Sequence, residues 1–201
     1  MKFKLPNSAL VNKIIPRKKF LEKTGGTKIK QDFEKIEKIV WSYNLSPKTV
    51  NISGTEKVEE IQIFTIILKV EEIPKKAIEI MVKLIPYPIL FVVEFGEKKI
   101  FSIFCKENQK FYYSDWNEKK SFDFFGNNLE EVYQNLVISF LEIRGKNFEE
   151  SLKIQSRINT LRREIKSLEN KIRREKQFKY KVELNRKLIN LKNELKKIEG
   201  S

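Results

Sequence analysis

The chain contains no histidine among its 201 residues, and that gap decides most of the chemistry open to it. Without imidazole there is no Ser-His or Cys-His nucleophile, no ordinary general base near neutral pH, and little scope for a zinc site. Carboxylates, lysines, tyrosines and one thiol remain. The best arrangement among them is Glu94 with Glu97-Lys98-Lys99, a Glu-x-Lys pattern. Carboxylates so placed can hold Mg²⁺ for phosphodiester cleavage while a lysine steadies the attacking water. The same residues fit a hairpin turn, where charge is expected anyway. The further acid that a nuclease core needs, Glu71 or Glu72, is not fixed by spacing. Gly25-Gly26-Thr27-Lys28 lacks the spacing of a phosphate-binding loop and follows no strand, so it reads as a linker. Cys105 ends an apolar strand and reads as a packing residue. Trp41, Phe111, Tyr112, Tyr113 and Trp116 could stack on nucleobases, but their spacing suits a core or a sheet edge. No catalytic residue, metal ligand or cofactor is assigned on these grounds.

Binding chemistry is better represented. The net charge of +14 is concentrated at the two ends. Residues 1–30 hold nine Lys or Arg against one Glu, residues 147–201 sixteen against eight, and the residues between sixteen against eighteen acids. A near-neutral body with two basic ends points to a polyanionic partner, because such surfaces attract phosphates at long range. The densest run is Lys171, Arg173, Arg174, Lys176, Lys179 and Lys181, opposed only by Glu175. Arg162 and Arg163 precede it, and Arg17, Lys18 and Lys19 form a second group. These eleven are the candidate nucleic-acid contacts.

The elements that must position these groups follow from periodicity. From Ile154, apolar residues recur at Ile158, Leu161, Ile165, Leu168 and Ile172, then at Leu184, Leu188, Leu191, Leu195 and Ile198. Steps of four and three make a coiled-coil seam. The two runs are mirror images about Phe178, so Ile172 pairs with Leu184, Ile165 with Leu191 and Ile158 with Ile198. One unbroken helix would rotate the seam by about 120° across the gap, whereas two antiparallel arms keep it facing inward. The spacing predicts a helical hairpin over 147–201 with its tip near 176–180.

Ahead of it, residues 1–146 suffice for one α+β domain. A short helix is expected over 7–14 after the Asn7/Ser8 pair, and another over 30–44. The second has Phe33, Ile36, Ile39, Val40 and Tyr43 on one stripe and stops near Ser46-Pro47. β-branched and aromatic residues predict strands at 58–70, 89–95, 99–105 and 110–114, with a tight turn at Gly96-Glu97-Lys98. Pro74 opens a helix reaching Ile85, and Asn127/Asn128 cap one running through Leu141. Short links imply an antiparallel meander for the later strands, while the first joins through a helical crossover and can pair in parallel. The expected body is a mixed, mainly antiparallel sheet with packed helices.

The lone Cys105 excludes an internal disulfide, residues 1–6 carry no signal-peptide core, and apolar runs such as Ile89–Val93 are too short to span a bilayer. A cytoplasmic protein with no membrane association is expected. Three stretches carry a family resemblance. They are Leu5-Pro6-Asn7-Ser8 with Ile15-Pro16-Arg17-Lys18-Lys19-Phe20, the run from Ile36 through Trp41-Ser42-Tyr43-Asn44 to Ile52, and Glu175-Lys176-Gln177-Phe178-Lys179 with Val182-Glu183-Leu184-Asn185. Together they resemble the bacterial domain-of-unknown-function family 4391 over nearly the whole chain. The resemblance implies an accessory protein encoded beside helicases and DNA methyltransferases of restriction or phage-defence loci, and it supplies no catalytic residues to carry over. The leading expectation is a non-enzymatic adaptor that contacts DNA or a helicase- or methyltransferase-type partner through its basic ends. A divergent metal-dependent nuclease and a structural protein that oligomerises through its hairpin are the alternatives.

Overall fold

The strand-forming stretches pair into one six-stranded sheet in the computed structural model, which describes residues 3–23 and 26–200. The strands are β1 (Leu10–Ile14), β2 (Ile36–Leu45), β3 (Ile61–Leu68), β4 (Ile89–Phe95), β5 (Lys98–Cys105) and β6 (Lys110–Tyr113), and they lie in the sheet in chain order. Neighbours are antiparallel except β3 and β4, which run parallel. That pair is joined by α4 (Lys75–Leu84), the expected crossover. The helices ahead of it are α1 (Lys18–Leu21), α2 (Thr27–Glu34) and α3 (Pro47–Val50); α5 (Leu129–Ile138), α6 (Phe148–Arg174) and α7 (Phe178–Glu199) follow the sheet. The α+β class and the mainly antiparallel mixed sheet agree with the sequence. The chain divides into two compact units between Phe140 and Leu141, ahead of the boundary expected at 146.

Two expected helices are corrected. Residues 7–14 form a 3-10 turn, Asn7–Ala9, followed by β1. Of residues 30–44, only those up to Glu34 are helical, and the rest belong to β2. The reason is local. β2 carries irregularities between Ile36 and Lys38 and between Trp41 and Tyr43, and each extra residue breaks the two-residue alternation. Its buried residues therefore recur at Ile36, Ile39 and Val40, a spacing that imitates a helix. β1 is irregular between Leu10 and Lys13, with Asn12 at φ +49°. Of the linker expected at 25–28, Gly25 lies outside the described residues, as do Met1 and Lys2, while Thr27 and Lys28 open α2.

The β4–β5 hairpin turns as its residues demand. Phe95 pairs with Lys98 across a two-residue loop, and Gly96 adopts φ +57°, which a side chain rarely accepts. Alternate residues of the central strands then face opposite layers. Phe64, Ile66 and Leu68 of β3 and Phe91 and Val93 of β4 pack with Phe20, Phe33, Ala77, Ile78 and Met81 from α1, α2 and α4. α5 buries Leu129, Val132, Tyr133, Leu136 and Val137. The Tyr133 hydroxyl accepts from Lys106 N, just after β5, at 2.9 Å. The crossover is pinned by Asp32, a nearly buried carboxylate near the end of α2. One of its oxygens accepts from the backbone N–H of Lys76 at 2.7 Å, in the first turn of α4, and the other from Lys35 Nζ at 2.8 Å. It thus satisfies one of the donors that every helix N-terminus leaves orphaned.

The second unit is the expected hairpin. Asn147 caps α6 by accepting from Glu150 N at 2.9 Å, and Glu150 reaches back to Lys146 N at 2.6 Å, a reciprocal cap. A Cβ on Gly145 would meet Ser151 N at 2.8 Å, so the chain enters the helix through a glycine for want of space. Three residues, Glu175 to Gln177, connect α6 to α7. All eleven seam residues are buried or half-buried, while Arg157, Arg162, Arg163 and Lys166 between them are exposed. Ion pairs flank the seam: Arg157 with Glu194 at 2.5 Å, Lys192 with Glu169 at 2.7 Å, and Arg162 with Glu199 at 2.9 Å.

Two measurements test this architecture. Cysteines at Leu168 and Leu188, with Cys105 first replaced by Ala, should cross-link within one chain; cross-links solely between chains would mean long helices pairing in a dimer. Asp32→Ala leaves the Lys76 N–H and the Lys35 ammonium without their shared acceptor. It should lower stability to urea by about 2 kcal/mol, and Asp32→Asn should recover part of that loss.

Candidate nucleic-acid interface

The cations singled out in the sequence fall into three structural situations. Arg17 is committed to the fold. Its guanidinium donates to the carbonyls of Phe33 at 3.1 Å and Ile36 at 2.8 Å, satisfying acceptors where α2 gives way to β2. Lys18 pairs loosely with Glu22 at 3.6 Å. Lys19 borders an apolar groove of about 340 Å³ between Phe20, Trp41, Phe64 and Tyr87, with Lys23 also on its edge.

Arg162 and Arg163 lie along α6, roughly 16–18 Å behind Arg174 at 1.5 Å per residue. Arg162 makes a two-pronged contact with Glu142, at 2.7 and 2.5 Å, and also reaches Glu199. Burial would push the Glu142 carboxyl up, but donation from Arg162 and Gln155 outweighs it and holds the group below its ordinary value. Arg163 bonds only within its own helix, to Asn159 O and Thr160 Oγ1, both at 3.3 Å. Arg162 is a clamp of the hairpin unit; Arg163 remains on the surface.

The remaining six come together at the tip. Lys171, Arg173 and Arg174 occupy the last turn of α6, Lys176 the connection, and Lys179 and Lys181 the first turn of α7. All six are exposed, and among the described residues none forms an ion pair. The three on α6 suit their position, because cations near a helix C-terminus offset the macrodipole. The two on α7 do not. Its first turn holds no acid, and the Gln177 side chain makes no cap, so Lys179 and Lys181 stand at the positive end of an uncapped helix. Folding alone gives no reason for them.

The tip also has features that charge counting missed. A cleft of about 450 Å³ opens there, lined by Lys171, Arg174, Tyr180 and Lys187 together with Glu175 and Glu183. Phe178 is 81% exposed and Tyr180 56%. The signal was present, since Phe178 sits at the mirror point of the seam and the position that mirrors Tyr180 is Lys176, so neither has an apolar partner on the other arm.

The other chemical candidates find ordinary partners. Glu94 and Lys99 are cross-strand neighbours bonded at 2.8 Å, a common sheet pairing; Glu97 is exposed in the turn. Lys98 meets Glu71 at 2.7 Å and Lys35 meets Glu72 at 2.6 Å. Among the described residues no three His, Cys, Asp or Glu side chains are grouped to hold a metal ion. Burial pushes the Cys105 thiol up to about 11, and it donates to Glu107 at 3.2 Å, so little reactive thiolate forms at neutral pH. Trp41 stacks on Phe64 with centroids 6.4 Å apart, Phe111, Tyr113 and Trp116 pack on the core, and the Tyr112 hydroxyl accepts from Asn108 at 2.7 Å. No helix among the described residues is long and apolar enough to cross a membrane.

The Arg162 clamp gives the hairpin a pH signature. A carboxyl whose pKa is depressed on folding stabilises above its unfolded value, near 4.5 here, and loses that contribution as pH falls through the folded pKa. Thermal unfolding of the hairpin should therefore shift downward between neutral pH and values below 4.5. Glu142→Gln should remove part of that shift, within about 1 kcal/mol for so exposed a pair. An unaltered pH profile in the variant would remove Glu142 as its source.

A family model described as "Domain of unknown function (DUF4391)" matches residues 3–195. No curated protein and no solved structure matches the chain at a significant level.

Proposed function

We propose that this chain, which belongs to the DUF4391 family, is a non-enzymatic adaptor in a nucleic-acid-processing complex and holds nucleic acid through the tip of its C-terminal hairpin. The observation that carries this reading is the pair Lys179 and Lys181. Both stand unpaired at the uncapped N-terminus of α7, where cations work against the helix dipole. Residues that cost local stability are best explained by a ligand that repays it, and six exposed cations within one short tip suit phosphates. We take the complex to be a restriction or anti-phage system of the cytoplasm with a helicase- or methyltransferase-type partner, as the resemblance in the sequence implies. A second reading has one observation in its favour. Phe178, Val182 and Ile189, all exposed, share one face of α7 at roughly 100° per residue, a stripe on which hairpins could pair into an oligomer.

The test is salt dependence. Each phosphate contact releases condensed counterions, so duplex affinity should fall by about 0.9 log units per contact for a tenfold rise in salt. Reversing Arg173, Arg174 and Lys176 to Glu should weaken binding to all sequences alike and flatten that slope, since phosphate contacts position without specifying. The hairpin should stay folded, because the three residues lie off the seam, with any loss of helix content confined to the last turn of α6. Unaltered affinity in the reversal variant refutes the tip assignment. Magnesium-dependent cleavage lost in Glu94→Ala/Glu97→Ala would replace the adaptor with a nuclease, and salt-insensitive self-association without nucleic-acid binding would favour the oligomer.

A further inference from the structure

The cleft at the hairpin tip allows that reading to be made more specific. Tyr180 lies one turn ahead of Leu184, on the face of α7 that continues the seam toward the tip. α6, however, ends at Arg174, and the position that mirrors Tyr180 is Lys176 in the connection. The seam therefore outruns its partner helix. The mirror position offers Tyr180 no apolar partner and the residue remains 56% exposed, while Lys171, Arg174 and Lys187, with Leu184, line the same cleft of about 450 Å³.

A flat aromatic face left open beside three cations matches the repeating unit of single-stranded nucleic acid, a base with phosphates on either side. A duplex offers phosphates but keeps its base faces stacked. Two carboxylates, Glu175 and Glu183, also line the cleft. Glu175 accepts from Gln177 N at 2.8 Å and so helps shape the connection. The exposed stripe of Phe178, Val182 and Ile189 lies on another face of α7, well over 90° from Tyr180 at roughly 100° per residue. Tyr180 thus stands apart from the face that would suit a membrane or a protein groove. We infer that the tip cleft binds an unpaired nucleotide, its base stacked on Tyr180 and the adjoining phosphates held by Lys171, Arg174 and Lys187, so that the protein prefers single-stranded over duplex nucleic acid.

The inference rests on the tip being a phosphate-binding surface, and the experiment separates the two. Fluorescence anisotropy on the full chain, with labelled oligo-dT and a duplex of equal length across a salt series, should show tighter binding of oligo-dT. Tyr180→Ala should weaken oligo-dT binding about tenfold, leave the salt slope unchanged, and alter duplex binding by no more than about twofold. Tyr180→Phe keeps the ring and should bind like the parent. Tyr180→Leu preserves an apolar, helix-forming residue without the flat face; it should behave like the Ala variant and guards against a loss caused by unfolding. If Tyr180→Ala and Tyr180→Leu bind oligo-dT as the parent does while the charge reversal still weakens it, the stacking site is refuted and phosphate binding stands. If the parent binds neither oligonucleotide, both readings fall. Binding to phosphatidylserine vesicles that depends on Tyr180, with oligo-dT affinity unaffected, would reassign the cleft to a membrane surface and overturn the inference.

Discussion

Two parallel neighbouring strands cannot be joined by a turn, and the first unit is organised around that constraint. Because β3 and β4 run the same way, the chain must leave the sheet after Leu68 and return along it before Ile89. The crossover places α4 over one face and makes its position critical to the layer beneath. Asp32 supplies the anchor: one carboxylate holds the start of α4 from the end of α2 while also accepting from Lys35. The helical layer is therefore fastened by hydrogen bonding at one end and by Ala77, Ile78 and Met81 against the sheet along its length.

The hairpin unit is governed by a different balance. Two helices bury one narrow seam and leave most of their circumference in water, so its polar residues are free to differ in role. Several of those beside the body of the seam are committed to pairing: Arg157, Arg162 and Lys192 each meet a carboxylate. Those at the tip meet none. The change occurs where α6 ends, so the same geometry that exhausts the seam leaves Tyr180 half-exposed and the tip cations outside any ion pair.

Legibility in the sequence followed regularity. The hairpin could be read because its steps of four and three never falter, and β4, β5 and their turn because alternation and Gly96 agree. β2 was missed because its irregularities give buried residues a spacing that a helix would also produce, and β1 because a short, exposed, irregular strand carries almost no pattern. The basic tip was visible as a run of charge. The use of Arg17 on two backbone carbonyls and of Arg162 on Glu142 was not, because each depends on a partner brought close only by folding. Tyr180 could have been found by asking which apolar residue continues the seam past the end of its partner arm.

The strand order has a kinetic consequence. Each strand of the sheet pairs with its neighbour in the chain, so no segment must wait for a distant one before it can add to the growing edge. Rates of folding fall as the loops to be closed lengthen, and unpaired edges invite aggregation while they wait. Here the strands can add to the sheet in the order in which they are made, and the links between β1 and β2 and between β3 and β4 are the longest loops to be closed. Helices α6 and α7 follow the whole sheet in the chain and close on each other through only three connecting residues.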